Sequence, residues 1–120
     1  MDILAVLKAL SDETRIRIVN VLRKDVLCVC DLEKILNISQ SNASRHLTVL
    51  RRAQLVTSEK KAQWVYFSLD QSLIDTHPFL KEILDNELEP VAIFRADLDR
   101  WKRYREIGGD CLHDVNLEGE

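Results

Sequence analysis

Apolar positions recur every three or four residues along most of this chain and every two residues in one stretch, the spacings of helices and strands respectively. Ile3, Leu4, Leu7 and Leu10 outline a first helix over residues 3–10. Ser11-Asp12 interrupts it and offers a capping oxygen, with Glu13 well placed in the next first turn. A second helix is expected over 13–24, with Ile16, Val19 and Leu22 on one stripe and Ile18 and Val21 widening it. A stripe that wide predicts burial on more than one side. After a break at Lys24-Asp25, Val26–Cys30 is short, apolar and partly β-branched. A third helix is expected from about Asp31, turning Leu32, Ile35 and Leu36 inward.

A turn at Asn37-Ile38-Ser39 leads to a fourth helix, capped by Ser39 and reaching about Arg52. At about 100° per residue, Ala43, Leu47 and Leu50 share one side. Ser41, Asn42, Arg45, Thr48 and Arg52 lie nearly opposite, a face of hydroxyl, amide and guanidinium groups almost without acids. Such groups pair with phosphates and base edges, although a polar helix face is also what solvent alone would produce.

The alternating stretch comes next. Leu55–Ser58 and Trp64–Leu69 read as strands, with Val65, Phe67 and Leu69 on one face and Glu59–Gln63 as a polar tip. With no glycine at the tip, a loop longer than a tight two-residue turn is expected. A helix pair followed by a lysine-tipped hairpin is a winged helix, which would set Lys60, Lys61 and Gln63 beside the phosphate backbone. The chain then turns helical again, with Pro78 suited to a first turn, Pro90 breaking or kinking the run, and a last helix to Glu106 ended by Gly108-Gly109. Val91, Phe94, Leu98 and Trp101 form the apolar face of that last helix. Outer helices with apolar stripes outside a compact core call for a partner surface, and a symmetric homodimer is the simplest. The expected architecture is mostly α with a small β-hairpin: a winged helix-turn-helix with extra N- and C-terminal dimerisation helices. It divides into a domain over 1–106 and an acidic flexible tail over 107–120.

Charge sharpens this picture. The net charge is −3, yet residues 39–61 carry Arg45, Arg51, Arg52, Lys60 and Lys61 against the single acid Glu59. The residues after Gly109 include the acids Asp110, Asp114, Glu118 and Glu120 and no Lys or Arg. No apolar run approaches the roughly 18 residues of a membrane span, and no signal-peptide pattern opens the chain, so a cytoplasmic setting is expected. In a reducing compartment three cysteines suggest free thiols or metal ligands rather than a disulfide framework. Phosphate-binding glycine loops, HExxH and GxSxG are absent, which speaks against an enzyme.

Cys28 and Cys30 precede the helix pair. On an α-helix, residues i and i+2 point about 200° apart and could not share an ion. On an extended segment they point the same way. Ion capture therefore favours an extended or unwound helix start, where the helix N-terminus would also favour thiolate. The plain alternative is a pair of small buried side chains.

ALSDETRIRIV, LCVCDL, ISQSNASRHLTVLRRAQLV and WVYFSL together resemble the ArsR (ArsR/SmtB) family of metal-sensing repressors over roughly residues 3–70. The resemblance implies a dimeric winged helix that represses a metal-resistance operon, needs no ion to bind double-stranded operator DNA, and is released by metal. It matches Cys28 and Cys30 to the family's metal box, and Ser39, Gln40, Ser41, Ser44, Arg45 and His46 to its DNA-reading helix. The sequence departs from the family pattern at Glu33, where a third cysteine can stand. It also lacks the cysteine-bearing extension of cadmium/lead sensors and the histidine/carboxylate zinc set of the last helix. The implied inducer is As(III) or Sb(III), with Cd(II) or Pb(II) open. Trivalent arsenic wants three thiolates, so Cys111, from the same chain or its dimer partner, is the expected third ligand, with Glu33, water or a second dimer-related arrangement as alternatives. A redox or persulfide sensor pairing Cys28 or Cys30 with Cys111 is the competing reading. Cys111-Leu112-His113 could instead be a zinc fragment, but no full ligand set accompanies it.

Overall fold

The computed structural model describes residues 1–113 and 115–117. Local capping chemistry sets the helix starts. Asp2 accepts from the backbone N–H of Leu4 and Ala5 to open α1 (Ile3–Leu10), and Asp12 accepts from Arg15 N to open α2 (Glu13–Leu22). β1 (Leu27–Cys28) runs directly into α3 (Val29–Leu36), whose first turn is closed by Asp31 reaching back to the N–H of Cys28 at 3.0 Å. The helix thus begins two residues earlier than the sequence suggested, because Asp31 acts as the third helical residue of a capping box and not as the start.

Asn37 ends α3 in the left-handed conformation at φ 55°, which an asparagine tolerates at little cost. Ser39 then caps α4 (Gln40–Arg52) by accepting from Asn42 N at 3.1 Å. Leu32, Ile35 and Leu36 of α3 and Leu47 and Leu50 of α4 are essentially inaccessible, joined in one core with Val6, Ile18, Val19 and Leu22.

β2 (Val56–Lys61) and β3 (Trp64–Leu69) pair antiparallel from Val56↔Leu69 to Lys61↔Trp64. This register corrects the expected long tip loop: the connection is the two residues Ala62-Gln63. Ala62 takes φ 57°, where a Cβ costs roughly 1–2 kcal/mol, and the paired ladder beneath it holds the turn. The hairpin is also joined by a third strand. β1 pairs with β3 through Leu27↔Phe67 and Cys28↔Tyr66, in the order β1-β3-β2, so the cysteine segment is part of the wing sheet.

α5 (Gln71–Asp75), α6 (Pro78–Glu82) and a π-helical turn over Ile83–Glu87 lead past Pro90 to α7 (Ala92–Glu106). Phe94, Leu98 and Trp101, expected to meet a partner surface, pack on the chain's own core instead, whereas Val91 is exposed. Two further residues of that stripe, Asp97 and Tyr104, are buried. Asp97 receives both Arg17 Nε at 2.7 Å and Arg17 Nη2 at 2.9 Å, and the same Nη2 donates to Leu36 O at 2.9 Å. Arg100 donates to Ile35 O at 2.8 Å and Lys34 O at 3.0 Å. Orphan carbonyls at the end of α3, just before the helix-turn-helix turn, are therefore satisfied by side chains of α2 and α7.

The described residues after α7 fold back on the domain and do not form the expected tail. Gly109 N returns to Tyr104 O at 2.8 Å, Arg105 Nη1 holds Gly109 O at 2.9 Å, and Val115 and Leu117 lie part-buried against the core. Asp114, Glu118, Gly119 and Glu120 of the expected acidic tail fall outside the described residues. Among the described residues, no helix is long and apolar enough to cross a membrane.

Candidate metal centre and nucleic-acid interface

Cys28 is the N-cap of α3, extended at φ −96° and ψ 174°, and Cys30 lies in the first helical turn. The divergence expected of two helical residues does not arise, because only one of them is helical. The change of backbone between 28 and 29 brings the two Sγ atoms to 2.7 Å. Cys111 arrives from the far end of the chain, 83 residues on, and is joined to Cys28 as a disulfide with the Cα atoms 6.9 Å apart. Cys30 is the free thiol.

Two glycines make that arrival possible. Gly108 takes φ 88°, and Gly109 passes so close over the Tyr104 ring that a Cβ there would lie 2.5 Å from a ring carbon. Tyr104 in turn donates its hydroxyl to Asp31 Oδ1 at 2.6 Å. Asp31 is 1% exposed, and its Oδ2 lies 3.2 Å from Cys28 Sγ and 3.9 Å from Cys111 Sγ. One ligand atom from each of Cys28, Cys30, Asp31 and Cys111 falls within 4.8 Å of the others. Glu33, the alternative third ligand, is not in this group but borders a cleft of about 280 Å³ that opens beside Cys30 and Cys111. His113 is outside it too: its ring lies 2.8 Å from Asp110 Oδ1, so the Cys-Leu-His stretch forms no ligand set here.

The expectation that the helix N-terminus would favour thiolate meets an opposing result at Cys30. Burial pushes its thiol upward, and the charges of Asp31 and Glu33 push the same way, against the lowering by the backbone N–H groups of Asp31 and Cys30. Cys30 is thus a neutral thiol at pH 7. In the oxidised protein, iodoacetamide should alkylate Cys30 more slowly than free cysteine at pH 7.5, with the rate still climbing above pH 9; labelling as fast as free cysteine at pH 7.5 would contradict this. Burial and the hydrogen bond to Asp31 likewise raise the Tyr104 hydroxyl far above its usual value, so it stays a donor.

The second surface is the outer face of α4 with the wing. Ser39, Gln40, Ser41, Ser44, Arg45, Thr48, Arg52, Lys60, Lys61 and Gln63 are exposed, and Asn42 is half-buried. Ser39 serves as the cap, and Thr48 turns its hydroxyl to Ser44 O at 3.0 Å. Arg45 rests on Asn42 Oδ1 at 2.6 Å with its remaining donors facing outward. His46 is a correction. It is 6% exposed and lies 3.2 Å from Arg15 Nη1 and 4.0 Å from Asp12, so it braces α4 against α2 and does not face a groove. Burial and the neighbouring Arg45 and Arg15 outweigh Asp12 and hold its ring below the usual histidine range, neutral at pH 7.

A helix pair with an exposed basic second helix, a lysine-bearing wing, and thiols at the first helix's mouth is the context in which sequence relatives become informative. The family model described as "Bacterial regulatory protein, arsR family" matches residues 12–58. The chain belongs to the ArsR family. It is 44% identical to a cadmium resistance transcriptional regulatory protein CadC homolog of Staphylococcus aureus over 58% of this chain and 59% of that one. It is 39% identical to the arsenic resistance transcriptional regulator ArsR1 of Pseudomonas putida over 72% of this chain and 62% of that one. Among solved structures, HlyU from Vibrio cholerae superposes with a TM-score of 0.59 at 35% identity, covering 68% of this chain and 89% of that chain. The chain spans about 60% of the length of these two curated relatives.

Within this ArsR-family fold, the buried polar residues Asp31, Asp97 and Tyr104 around the site escaped sequence reasoning. Asp97 and Tyr104 continue the Phe94–Trp101 stripe at helical spacing, so position was their signal, masked by their polarity. Asp31 had its own signal, three residues after an extended Cys28, the spacing of a capping box.

Proposed function

We propose that this chain is a homodimeric transcriptional repressor of a metal- or metalloid-resistance operon. In this reading α4 and the wing bind operator DNA, and trivalent arsenic or antimony held by Cys28, Cys30 and Cys111 releases it. The observation that carries the proposal is the convergence of three sulfurs on the N-terminus of α3, the first helix of the DNA-binding pair. Softness favours thiolate for these ions. Binding of arsenous acid balances as three thiols giving up three protons and the acid its three hydroxyls, with three waters released. The Cys28–Cys111 disulfide must first be reduced, for which a cellular thiol such as glutathione supplies the two electrons.

Coupling follows from where the sulfurs sit. Cys28 is at once a rung of β1 on the wing sheet and the cap of α3, and Cys111 hangs from α7. Drawing the three sulfurs together loads wing, α3 and α7 simultaneously, while DNA requires its own spacing of helix and wing. Two reading helices at the separation of a palindrome need a dimer. Ile3, Leu4 and Leu7 of α1, exposed at 43%, 64% and 46%, with Val91 and Ile93 at the start of α7, are the apolar surface it would cover.

A second reading has one observation in its favour. The Cys28–Cys111 disulfide is what a thiol-based redox repressor would form, with hydrogen peroxide taking two electrons from two thiols and leaving as water. The relative named as a cadmium resistance regulator keeps cadmium in view.

A gel shift on DNA upstream of the protein's own gene separates these. With reduced protein, arsenite and antimonite should release the DNA at micromolar levels, below those at which cadmium, lead, zinc or peroxide act. Release by peroxide and not by arsenite would select the redox reading. Arg45→Ala should weaken operator binding roughly tenfold and flatten the salt dependence by about one counterion. Unchanged affinity would remove α4 from the interface.

A further inference from the structure

We propose that Tyr104 sets the ion preference of the cysteine site, as a positioning residue that keeps Asp31 from becoming a fourth ligand. This rests on the reading that Cys28, Cys30 and Cys111 bind the inducer, and deepens it.

Asp31 is the one oxygen donor among the four clustered groups. Left free, it would complete a three-sulfur, one-oxygen set, which suits divalent thiophilic ions that favour four ligands. Trivalent arsenic and antimony are satisfied by three thiolates. Oδ2 already lies 3.2 Å from Cys28 Sγ, so the choice between the two classes depends on whether the carboxylate can leave its own partners and close on an ion held by the sulfurs.

It is held at both ends. Oδ1 accepts from the Tyr104 hydroxyl at 2.6 Å, and Oδ2 accepts from Cys28 N at 3.0 Å, the bond that starts α3. Arg105 Nη2, 3.8 Å from Oδ2, adds a weaker restraint on the same side. Moving Oδ2 onto an ion pulls against the helix cap, and swinging Oδ1 round to it means giving up Tyr104. Removing the Tyr104 hydroxyl frees one oxygen without touching the cap. The ring itself is packed under Gly109, where the chain turns to deliver Cys111, so a phenylalanine keeps the sulfur geometry.

The test measures As(III) and Cd(II) affinities of reduced, full-length protein by competition, with the thiolate-to-cadmium ultraviolet absorption as a second readout. Tyr104→Phe should raise Cd(II) affinity roughly tenfold, the scale of outer-shell effects on metal binding, and leave As(III) affinity within about twofold. Adding Asp31→Asn to Tyr104→Phe should abolish that gain. Asp31→Asn in the wild-type background should leave both affinities near their starting values, because Asp31 is not a ligand there. The inference is overturned if Tyr104→Phe binds Cd(II) no better than wild type, if the gain survives in the double variant, or if Asp31→Asn by itself lowers Cd(II) affinity. Wild-type protein that binds neither ion through its thiols would overturn the underlying site reading instead, a result visible before any variant is made.

Discussion

Cys28→Ser should abolish arsenite-driven release of operator DNA while leaving DNA binding within about twofold of wild type, since serine caps helices well. Cys28 is the sulfur common to the cluster, 2.7 Å from Cys30 and bonded to Cys111, so its loss leaves two of the three thiolates a trivalent ion needs. The expected fall in As(III) affinity exceeds the roughly 10–100-fold that changes outside the ligand shell cause. Serine at position 28 can still start α3, and its backbone N–H still reaches Asp31. With both proteins reduced, so that the Cys28–Cys111 disulfide plays no part, the defect should therefore appear in release and not in the melting curve. Cys30→Ser should behave similarly. Cys111→Ser is more diagnostic, because a protein that responds normally without it would need only the two cysteines of the box. Gel shifts with and without arsenite, alongside thermal melts, check all three.

The largest effect on stability is expected from Asp97→Ala. The Asp97 side chain is 3% exposed and takes a two-pronged bond from Arg17, which itself is 19% exposed. Removing one partner of a buried pair leaves the other charge uncompensated, at a cost of about 3 kcal/mol or more. Because Arg17 retains Leu36 O and some solvent, the lower end is expected. A urea unfolding curve should show the midpoint shifted down with the slope unchanged. A shift of less than 1 kcal/mol, on the order of an exposed pair, would mean that the Arg17–Asp97 pair adds little to what the apolar stripe, Arg100 and Tyr104 already supply. Since Arg17 also closes the carbonyl end of α3, this variant should bind operator DNA more weakly even where it is folded.

These two predictions draw on parts of the molecule that were unequally visible in the sequence. Cys28 and Cys30 announced themselves by spacing, and helices α1 to α4 by period and caps, because apolar faces and capping oxygens are local properties. Asp97 and Tyr104 were hidden because a carboxylate and a phenol on an apolar stripe look like interruptions until their partners, Arg17 and Asp31, are seen across the fold. The two-residue wing turn was hidden because Ala62 accepts a left-handed backbone only under the hold of the strand ladder, a tertiary effect overriding turn preference. β1, at two residues, is too short to carry a period, and its pairing with β3 is a long-range choice. The family resemblance matches His46 to the DNA-reading helix, yet one step along a helix from Arg45 is about 100° of rotation, enough to turn it inward. Cys111 was picked for its chemistry. What brings it to Cys28 is the pair of glycines and Arg105, which fold the segment back over Tyr104.

The account stands on three sulfurs from one chain sharing one trivalent centre at the head of α3. Arsenic X-ray absorption on reduced protein loaded with one equivalent of arsenite counts those neighbours directly. Three sulfur scatterers in the wild type, falling to two in Cys111→Ser, is the result expected. Two or fewer sulfurs in the wild type, or a spectrum unchanged by the loss of Cys111, would contradict it.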